Sequence, residues 1–592
     1  MLDTQPNFTN NIKEIVMNFK GIGILEIEKG NNTAGGKDQK APSVDRGDTV
    51  QTFFAYSEDK ILTKILEQDN PGALVRQLSQ EDFFWLVKKV GEDNCLILLK
   101  MASNEQWQYL LDMETWRKDR MDLKKASIWL SRMLRANPEG LAKWFFSNGE
   151  LLVYYYLFKN IHLEIRSEDD DHRDFGEDFF TLDSIFYIRV PEEDYKETIK
   201  NMLSAMAGKN IIQYQSLLST LAGVIPAELE EDMYRLRNVR LAEHGFLAPE
   251  EALAVYAPLE SNSLDMKVHD SDTICLDEDI TELIPVSPLY HVRQENLLTK
   301  VLSEINDPTL QDRLRLEFAG LCNQILSADG FMANDLDMLI RICQRAAGHL
   351  NLTLEKMCYA DQRQAEILLR NNSMVSLFRV GFGLVLKLKW EAEQWVKRSW
   401  FDAQGLGLNF WSDDWGQALK GILEKKPQLY VGLEEETAFR DFEDLSELDK
   451  SFALLHRLKV LDKLIGRLAR SYPIEEDRVD MSRLTFQPML FNLWARRLLD
   501  LDPGFSAISE DEAKAFFSRL RAGETGPLFR MSDFEDIFIH DFMIFASGFE
   551  LRLREELKNA LSVVWQHFSE EYERVPTQDL EGRFSKFIFI EV

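Results

Sequence analysis

Apolar residues recur at intervals of three and four along most of this chain, and polar capping residues stand where many of these stretches begin. Residues 57–158 show the pattern most clearly. Ser79 precedes one such stretch, the apolar residues of 83–90 fall on one helical face, and Gly91 ends it. The pattern predicts a series of short, capped, amphipathic helices.

The start signals in this region, Ser57, Ser79 and Ser103, follow one another at nearly equal spacing. A unit of that length fits one helix pair, which buries its apolar face only by stacking on neighbours. We therefore predict stacked short helical pairs, in the manner of a solenoid, over residues 49–165. The alternative is an irregular helical bundle whose caps happen to be evenly spaced.

The whole chain reads as a mainly α, multidomain protein with helical bundles after the stacked pairs and a few short β-strands. Changes in composition along the sequence suggest the boundaries. The predicted segments are a flexible N-terminal tail (1–48), a helical-repeat domain (49–165), a strand-plus-helix segment (166–260), a linker-like segment (261–292), a helical domain with a tryptophan cluster (293–425), and a C-terminal helical domain with a terminal strand (426–592).

Two stretches have the aromatic and β-branched composition of strands, 179–190 (FFTLDSIFYIRV) and 584–592 (FSKFIFIEV). An acidic segment, 167–178, precedes the first of them. The terminal strand is predicted to pair either with 22–28 (IGILEIE) or with 179–190.

Composition supports packed interiors, because 45% of the 592 residues are hydrophobic and 38 are Phe. The 69 basic and 99 acidic residues give a net charge of −30, which repels nucleic acid and anionic membranes over most of the surface. We therefore expect no nucleic-acid partner.

No apolar run approaches the roughly 18–20 residues that a membrane-spanning helix needs, and residues 1–18 lack the pattern of a signal peptide. The five cysteines are scattered, with no pair at the spacing of a zinc site. We expect buried free thiols, no membrane insertion and a cytoplasmic location.

Catalytic motifs are mostly excluded. The segment 30–38 (GNNTAGGKD) approaches a phosphate-binding loop, but Lys37 comes one residue late and Asp38 replaces the hydroxyl that holds magnesium. The HExxH and GxSxG patterns are absent. Gly381-Phe382-Gly383 lacks the third glycine of a dinucleotide site and predicts a close approach of two helices instead.

One acidic group is a candidate metal site. An Ala-Asp-Gly turn at 328–330 is followed by further acidic residues, and the group comprises Asp329, Asp335 and Asp337. The turn resembles that of tellurite-resistance-type helical domains, a likeness that covers about 30 residues and implies binding of a divalent cation. The alternative is a helix–turn–helix in which Asp serves as turn and cap residue.

Five tryptophans lie close together in sequence, with basic residues among them: Trp390, Trp395, Trp400, Trp411 and Trp415. They are candidates for a partner-binding groove. A packed helix junction with cation–π contacts is the alternative. Aromatic residues among basic ones also occur in single-stranded nucleic-acid binding, but the net charge of the chain opposes that interpretation.

The predicted helix 228–243 (ELEEDMYRLRNVRLAE) carries Glu231 and Arg235 four residues apart, with Arg237 and Arg240 nearby. Charges at this spacing usually stabilise an exposed helix. A polar network at a domain junction is the second interpretation.

Two family resemblances accompany these patterns. Residues 69–158, with short Leu-rich helices and polar starts such as 78–82 (LSQED), resemble the cytosolic N-terminal helical domain of magnesium transporters. The transporter's membrane region is absent, so the likeness implies no transport. The segments 234–246 (YRLRNVRLAEHGF), 327–330 and 377–390 (LFRVGFGLVLKLKW) resemble a bacterial family of large proteins known only as a domain of unknown function.

These observations lead to a cytoplasmic protein-interaction scaffold or regulatory protein that uses a helical-repeat surface. The alternatives are an enzyme with a site at a domain junction, and a regulator that responds to a divalent cation. A protein partner is expected, and no cofactor.

Overall fold

The computed structural model divides the chain into two units, residues 1–49 and 50–592. The first unit, with the predicted tail, the 22–28 strand and the 30–38 segment, lies outside the described residues. Within the second, the structure describes residues 53–166, 175–222, 228–267, 284–292, 295–330, 335–432, 437–474, 484–521, 528–529, 531–576 and 586–591.

The described residues are mainly α-helical, which confirms the predicted fold class. The helices are α1 (Glu58–Leu66), α2 (Pro71–Gln77), α3 (Gln80–Val90), α4 (Leu96–Met101), α5 (Asn104–Glu114), α6 (Leu123–Ala136), α7 (Pro138–Phe145), α8 (Glu150–Asn160), α9 (Glu193–Lys209), α10 (Ile211–Leu221), α11 (Leu229–Glu243), α12 (Pro249–Ala252), α13 (Ser287–Tyr290), α14 (Leu297–Glu304), α15 (Pro308–Ala328), α16 (Leu336–Cys358), α17 (Gln362–Asn371), α18 (Met374–Val396), α19 (Trp400–Ala403), α20 (Ser412–Leu423), α21 (Leu445–Ser471), α22 (Phe486–Leu498), α23 (Glu510–Leu520), α24 (Glu535–Met543) and α25 (Leu551–Tyr572). Short 3₁₀ helices cover Leu253–Tyr256, Ser261–Ser263, Leu408–Trp411, Ser532–Phe534 and Ile544–Ala546.

Side-chain caps fix where the early helices begin. The Ser79 hydroxyl accepts a hydrogen bond from the backbone N–H of Asp82 at 3.0 Å, and Ser103 forms a capping box with Gln106. The Ser57 side chain makes no such bond, although it does precede α1. The predicted start signals therefore mark real helix starts, two of them with the expected cap geometry.

The first six helices pack on their next-but-one neighbours. Helix α1 contacts α3, α2 contacts α4, α3 contacts α5, and α4 contacts α6. Stacked helical pairs produce contacts of this kind, and so does an irregular bundle, so the helical repeat stays a prediction. Among the described helices, none combines the length and apolar composition that a membrane crossing requires.

Two hydrophobic cores fill the unit, and they meet on two long helices. Helix α16 gives Leu350 to the first core and Leu352 to the second, and α18 gives Phe382 to the first and Val385 to the second. Residues 50–592 nevertheless form one compact unit. The segment boundaries proposed from sequence stay predictions within it.

The strands form three small antiparallel pairs, with β1 (Trp116–Arg117) on β2 (Arg120–Met121), β3 (His162–Ile165) on β4 (Phe186–Arg189), and β5 (Leu429–Tyr430) on β6 (Phe439–Arg440). An additional bridge joins Phe180 to Ile188 of β4. The strand content predicted for 179–190 is thus present. Of the acidic segment that precedes it, residues 167–174 lie outside the described residues.

The C-terminal strand pairs differently from the prediction. Ile590 forms a parallel bridge with Ile508, and the N–H of Ile508 donates to the carbonyl of Phe589 at 3.0 Å. The buried amide of Asn492 holds the same residue, accepting from the Phe589 N–H at 2.8 Å and donating to its carbonyl at 2.9 Å. These bonds commit the backbone of the last residues to this site, so the predicted pairing with 179–190 is wrong.

The end of the linker-like segment 261–292 differs from a linker. Ser287 is fully buried, and the N–H groups of Val286 and Ser287 donate to the carboxylate of Asp82 in α3 at 2.8–3.2 Å. A buried carboxylate that accepts backbone N–H groups anchors this stretch to the first core. Composition cannot reveal such an anchor, because the acceptor is far away in sequence.

The Gly381 motif does bring two helices together, as its sequence predicts. A Cβ on Gly381 of α18 would lie 1.9 Å from the carbonyl oxygen of His349 in α16. The Thr353 hydroxyl donates to the carbonyl of Leu377 at 2.7 Å across the same contact. Only the missing side chain permits this separation.

We expect Gly381→Ala to lower the free energy of unfolding by roughly 2–3 kcal/mol, because the added methyl forces α16 and α18 apart in a packed core. Urea denaturation measures the change. Gly208→Ala, in α9 with open space around its Cβ position, is the matched control and should be neutral or slightly stabilising. Equal stability of the two variants would contradict the close approach.

Candidate functional site

Asp329, the first candidate metal ligand, lies in a buried cluster of charges. Its carboxylate is 2.7 Å from Nη1 of Arg345 and accepts a hydrogen bond from the Tyr256 hydroxyl at 2.7 Å. Nζ of Lys426 contacts the same carboxylate. The side chain is only 4% exposed. Three protein groups therefore occupy the oxygen atoms that a cation would need.

The rest of this cluster balances its charge. Nε of Arg345 lies 2.9 Å from Asp441, and Nζ of Lys426 lies 4.4 Å from the centre of the Tyr256 ring. Burial lowers the pKa of Lys426, an effect that Asp329 opposes. Burial also raises the pKa of the Tyr256 hydroxyl. With two carboxylates against two cations, the cluster fits a structural ion-pair network that joins residues far apart in sequence.

The other two candidate ligands lie elsewhere on the turn. Asp335 caps α16, where it accepts from the N–H of Asp337 at 3.1 Å, and both side chains are exposed. In the part of the chain that the structure describes, no group of three or more His, Cys, Asp or Glu is placed to hold a metal ion. The cation site built from Asp329, Asp335 and Asp337 stays a prediction without geometric support.

Most of the tryptophan cluster belongs to the second core. Trp411 is fully buried, with its ring centre 5.9 Å from that of Trp395, and Trp415 stacks on Phe486 at 5.2 Å. Trp400 is partly buried and packs on Phe410. This is the packed helix junction that the sequence left open as an alternative.

Trp390 differs from the other four tryptophans, because it is 43% exposed. It is the most exposed of the five tryptophans. A partner groove formed by all five rings would need the core to open. The cluster as a whole stays an untested prediction of a binding site.

The arginines of α11 form the polar network that was the second interpretation of that helix. Arg240 contacts both oxygens of the Asp112 carboxylate, at 2.7 and 2.8 Å, and buried Arg237 donates from Nε to the Asp112 carbonyl at 2.6 Å. Arg235 pairs with Asp232 rather than with Glu231. The network fastens α11 to α5 of the helical stack.

Further buried polar groups stand at the start of α3. The Glu81 carboxylate accepts from the Asn323 amide of α15 at 3.0 Å and lies 3.3 Å from Nδ1 of His244. Beside it, burial raises the pKa of Asp82 to about 6. Polar residues of the N-terminal stack thus bond to elements from much later in the chain, which is a structural role for these carboxylates.

Two recesses bear on the enzyme alternative, because an active site needs a recess lined by reactive groups. One, of about 170 Å³, is lined by Val286, Leu302 and Leu314 among others. The other, of about 590 Å³, is lined by groups that include Tyr359 and Glu355. Among the described residues, the lining of these two recesses contains no Ser, Cys or His. Neither lining therefore holds a Ser–His or Cys–His pair.

Five exposed aliphatic side chains lie on two segments, the end of the β3–β4 hairpin and the start of α10. We name this set the hairpin patch, and its members are Ile165, Leu182, Ile185, Ile211 and Ile212.

Hydrogen bonds hold the parts of the hairpin patch together. Nε2 of Gln215 donates to the Asp183 carboxylate at 3.0 Å, which joins α10 to the loop before β4. Ile211 and Ile212 stand one helical turn before Gln215. Ile185 follows Asp183, whose carboxylate also accepts from the Ile185 N–H at 3.0 Å. Both sides of the patch are therefore fixed to one another.

Sequence reasoning missed the hairpin patch. Its one local signal is the pair Ile211-Ile212 directly after the helix cap Asn210. Adjacent residues of a helix point about 100° apart, so on a helix with a single buried face two neighbouring isoleucines favour exposure of at least one of them. Contiguous exposed apolar side chains of this kind mark interaction sites more often than isolated ones do.

The profile of the Family of unknown function (DUF6178) matches residues 49–591. No curated protein and no solved structure matches the chain. The likeness of residues 69–158 to magnesium-transporter domains therefore has no support from these comparisons.

We expect the three aspartates of the candidate metal site to respond unequally to substitution. Asp329→Asn should lower the free energy of unfolding by about 3 kcal/mol, because it removes the ion-pair partner of Lys426 and one of the two charged partners of Arg345. Asp335→Asn and Asp337→Asn should each cost below about 1 kcal/mol, since both side chains are exposed and Asn also caps helices. A magnesium-dependent rise in Tm that all three substitutions abolish would instead establish a metal site.

The raised pKa of Asp82 predicts a pH effect. Because the folded-state pKa, about 6, exceeds the unfolded value of about 3.9, this carboxyl stabilises the fold at low pH. The contribution is lost as pH rises through 6. Relative to the native chain, Asp82→Asn should therefore gain about 2–3 kcal/mol in unfolding free energy between pH 4 and 7. Exposed Asp178→Asn is the control and should show no such trend in urea denaturation.

Proposed function

We propose that this chain, which belongs to the Family of unknown function (DUF6178), is a protein-interaction or regulatory protein that binds a protein partner through the hairpin patch. The observation that carries the proposal is that five exposed aliphatic side chains lie on two segments joined by the hydrogen bond between Gln215 and Asp183. Burying such a cluster against a partner removes apolar surface from water, at about 25 cal/mol per Å².

The position of the hairpin patch suits this role. Helix α8 ends at Asn160, and β3 follows directly at the end of the N-terminal helical stack. A patch held on a packed stack loses little conformational entropy on binding, because its backbone is already ordered. We therefore keep the scaffold role and propose that the partner binds at the end of the stack rather than on its faces.

The proposed location is the cytoplasm. The described cysteines, Cys95, Cys322, Cys343 and Cys358, are free and buried, a state that a reducing compartment maintains. Subcellular fractionation of the native cells, followed by detection of this chain in each fraction, is the direct test of location.

The enzyme alternative has less support. The polar clusters around Asp329 and Asp82 are closed by protein partners on several sides. The two recesses, as far as their described lining goes, contain no Ser, Cys or His. No observation on the described residues favours a specific reaction.

Affinity purification of the tagged chain from its native cells, followed by mass spectrometry, tests the proposal. Ile212→Glu should reduce recovery of a stoichiometric protein partner by roughly tenfold or more, because it places a charge in the middle of the contact. Ile212 is 75% exposed near the start of α10, and Leu551 is 77% exposed at the start of α25. Leu551→Glu is therefore the matched control and should bind normally.

Two outcomes would contradict this assignment. Equal recovery with both variants would show that the hairpin patch is not the contact. A native chain that purifies alone, with the same elution volume for both variants, would remove the interaction proposal itself.

A further inference from the structure

Strand β3 has one side hydrogen-bonded to β4 and an opposite side whose backbone groups point outward. Leu163 stands directly across from Ile188 of β4. The N–H and carbonyl of Ile188 are bonded to Phe180 on the far side of β4, at 2.8 and 2.9 Å. In an antiparallel pair this makes Leu163–Ile188 a non-hydrogen-bonded pair. The N–H and carbonyl of Leu163 are therefore turned away from β4.

The same alternation of hydrogen-bonded and non-hydrogen-bonded pairs continues two residues later along β3. The N–H of Arg166 donates to the carbonyl of Ile185 at 2.9 Å, which identifies the neighbouring Ile165–Phe186 pair as another non-hydrogen-bonded one. The backbone of Ile165 thus also points outward. Within the described part of the chain, no group bonds to the outward N–H and carbonyl groups of Leu163 and Ile165.

The side chains along this edge continue the hydrophobic core toward solvent. Leu163 and Ile165 share a face with Ile188 and Phe186, since directly opposed residues project to the same side of a sheet. Ile188 and Phe186 are buried, whereas Ile165 is exposed as part of the hairpin patch. A further strand beside β3 would cover Ile165 and complete this face.

Resting on the function proposed above, we propose that β3 binds its partner by strand addition. The occupant is an extended segment of the partner protein with apolar residues on the face of Leu163 and Ile165. Its other face is basic, which complements the net charge of −30 of the chain. A partner helix would leave the outward backbone groups unsatisfied, whereas an extended chain bonds to them.

The probe is a labelled heptapeptide of alternating lysine and valine, acetylated and amidated at its ends, titrated into the full chain by fluorescence anisotropy. We expect saturable binding. In hydrogen–deuterium exchange, the amides of Leu163 and Ile165 should exchange at least tenfold more slowly with the peptide present. A peptide of alternating glutamate and valine should bind at least tenfold more weakly.

Selective N-methylation separates backbone pairing from charge attraction. In antiparallel addition the valine N–H groups face β3, so methylating them should abolish binding and methylating the lysine amides should not. Parallel addition reverses the two results. Equal binding of both methylated peptides, or no saturable binding of the parent peptide, would overturn strand addition.

Two substitutions of Ile165 separate backbone pairing from side-chain contact in the protein itself. Ile165→Pro removes the outward N–H but leaves the β4 bonds intact, since proline is tolerated at strand edges. Ile165→Thr keeps that N–H and removes part of the apolar side chain. We expect loss of peptide binding with Pro and retention with Thr, with circular dichroism confirming that both fold.

The variants also distinguish this inference from the function on which it rests. If the cellular partner is lost with Ile212→Glu but kept with Ile165→Pro, the hairpin patch binds through side chains alone. Strand addition is then refuted, and the interaction function stands. If Ile165→Pro releases the partner and Ile165→Thr retains it, the backbone edge is the contact.

Discussion

The close contact between α16 and α18 is the constraint on which the rest of the structure depends. The Cβ position of Gly381 lies 1.9 Å from the His349 carbonyl, so the two helices touch along their backbones. Both helices carry residues of both hydrophobic cores. A change in their separation would move the two cores relative to one another. Small residues at this contact therefore act on packing throughout residues 50–592.

Buried charges then fix the loops to this framework. Arg345 projects from α16 and pairs with Asp329 at the end of α15 and with Asp441 after β6. Asp82 of α3 holds the segment before α13 through two backbone N–H groups. Such clusters stabilise only when every member is paired, because an unpaired buried charge costs several kcal/mol. Asp329, one of the three acidic residues that suggested a metal site, is thus part of this framework.

The hairpin patch is a set of exposed aliphatic side chains on two segments that a hydrogen bond joins. It adjoins a strand edge whose outward backbone groups have the spacing that pairs with an extended chain. Both features belong to the same hairpin, which makes one contact site the simplest account of them.

The sequence by itself determined the helical class and the capped starts at Ser79 and Ser103, since these depend on residues near one another in the chain. The small residue Gly381 signalled a close helix approach but not the helix that it meets. Membership of the family of unknown function was also readable from local segments. The partners of Asp329, the burial of Trp411 and the exposure of Ile212 were decided only by the tertiary structure. Each depends on contacts between residues far apart in sequence, and local periodicity carries no information about those contacts.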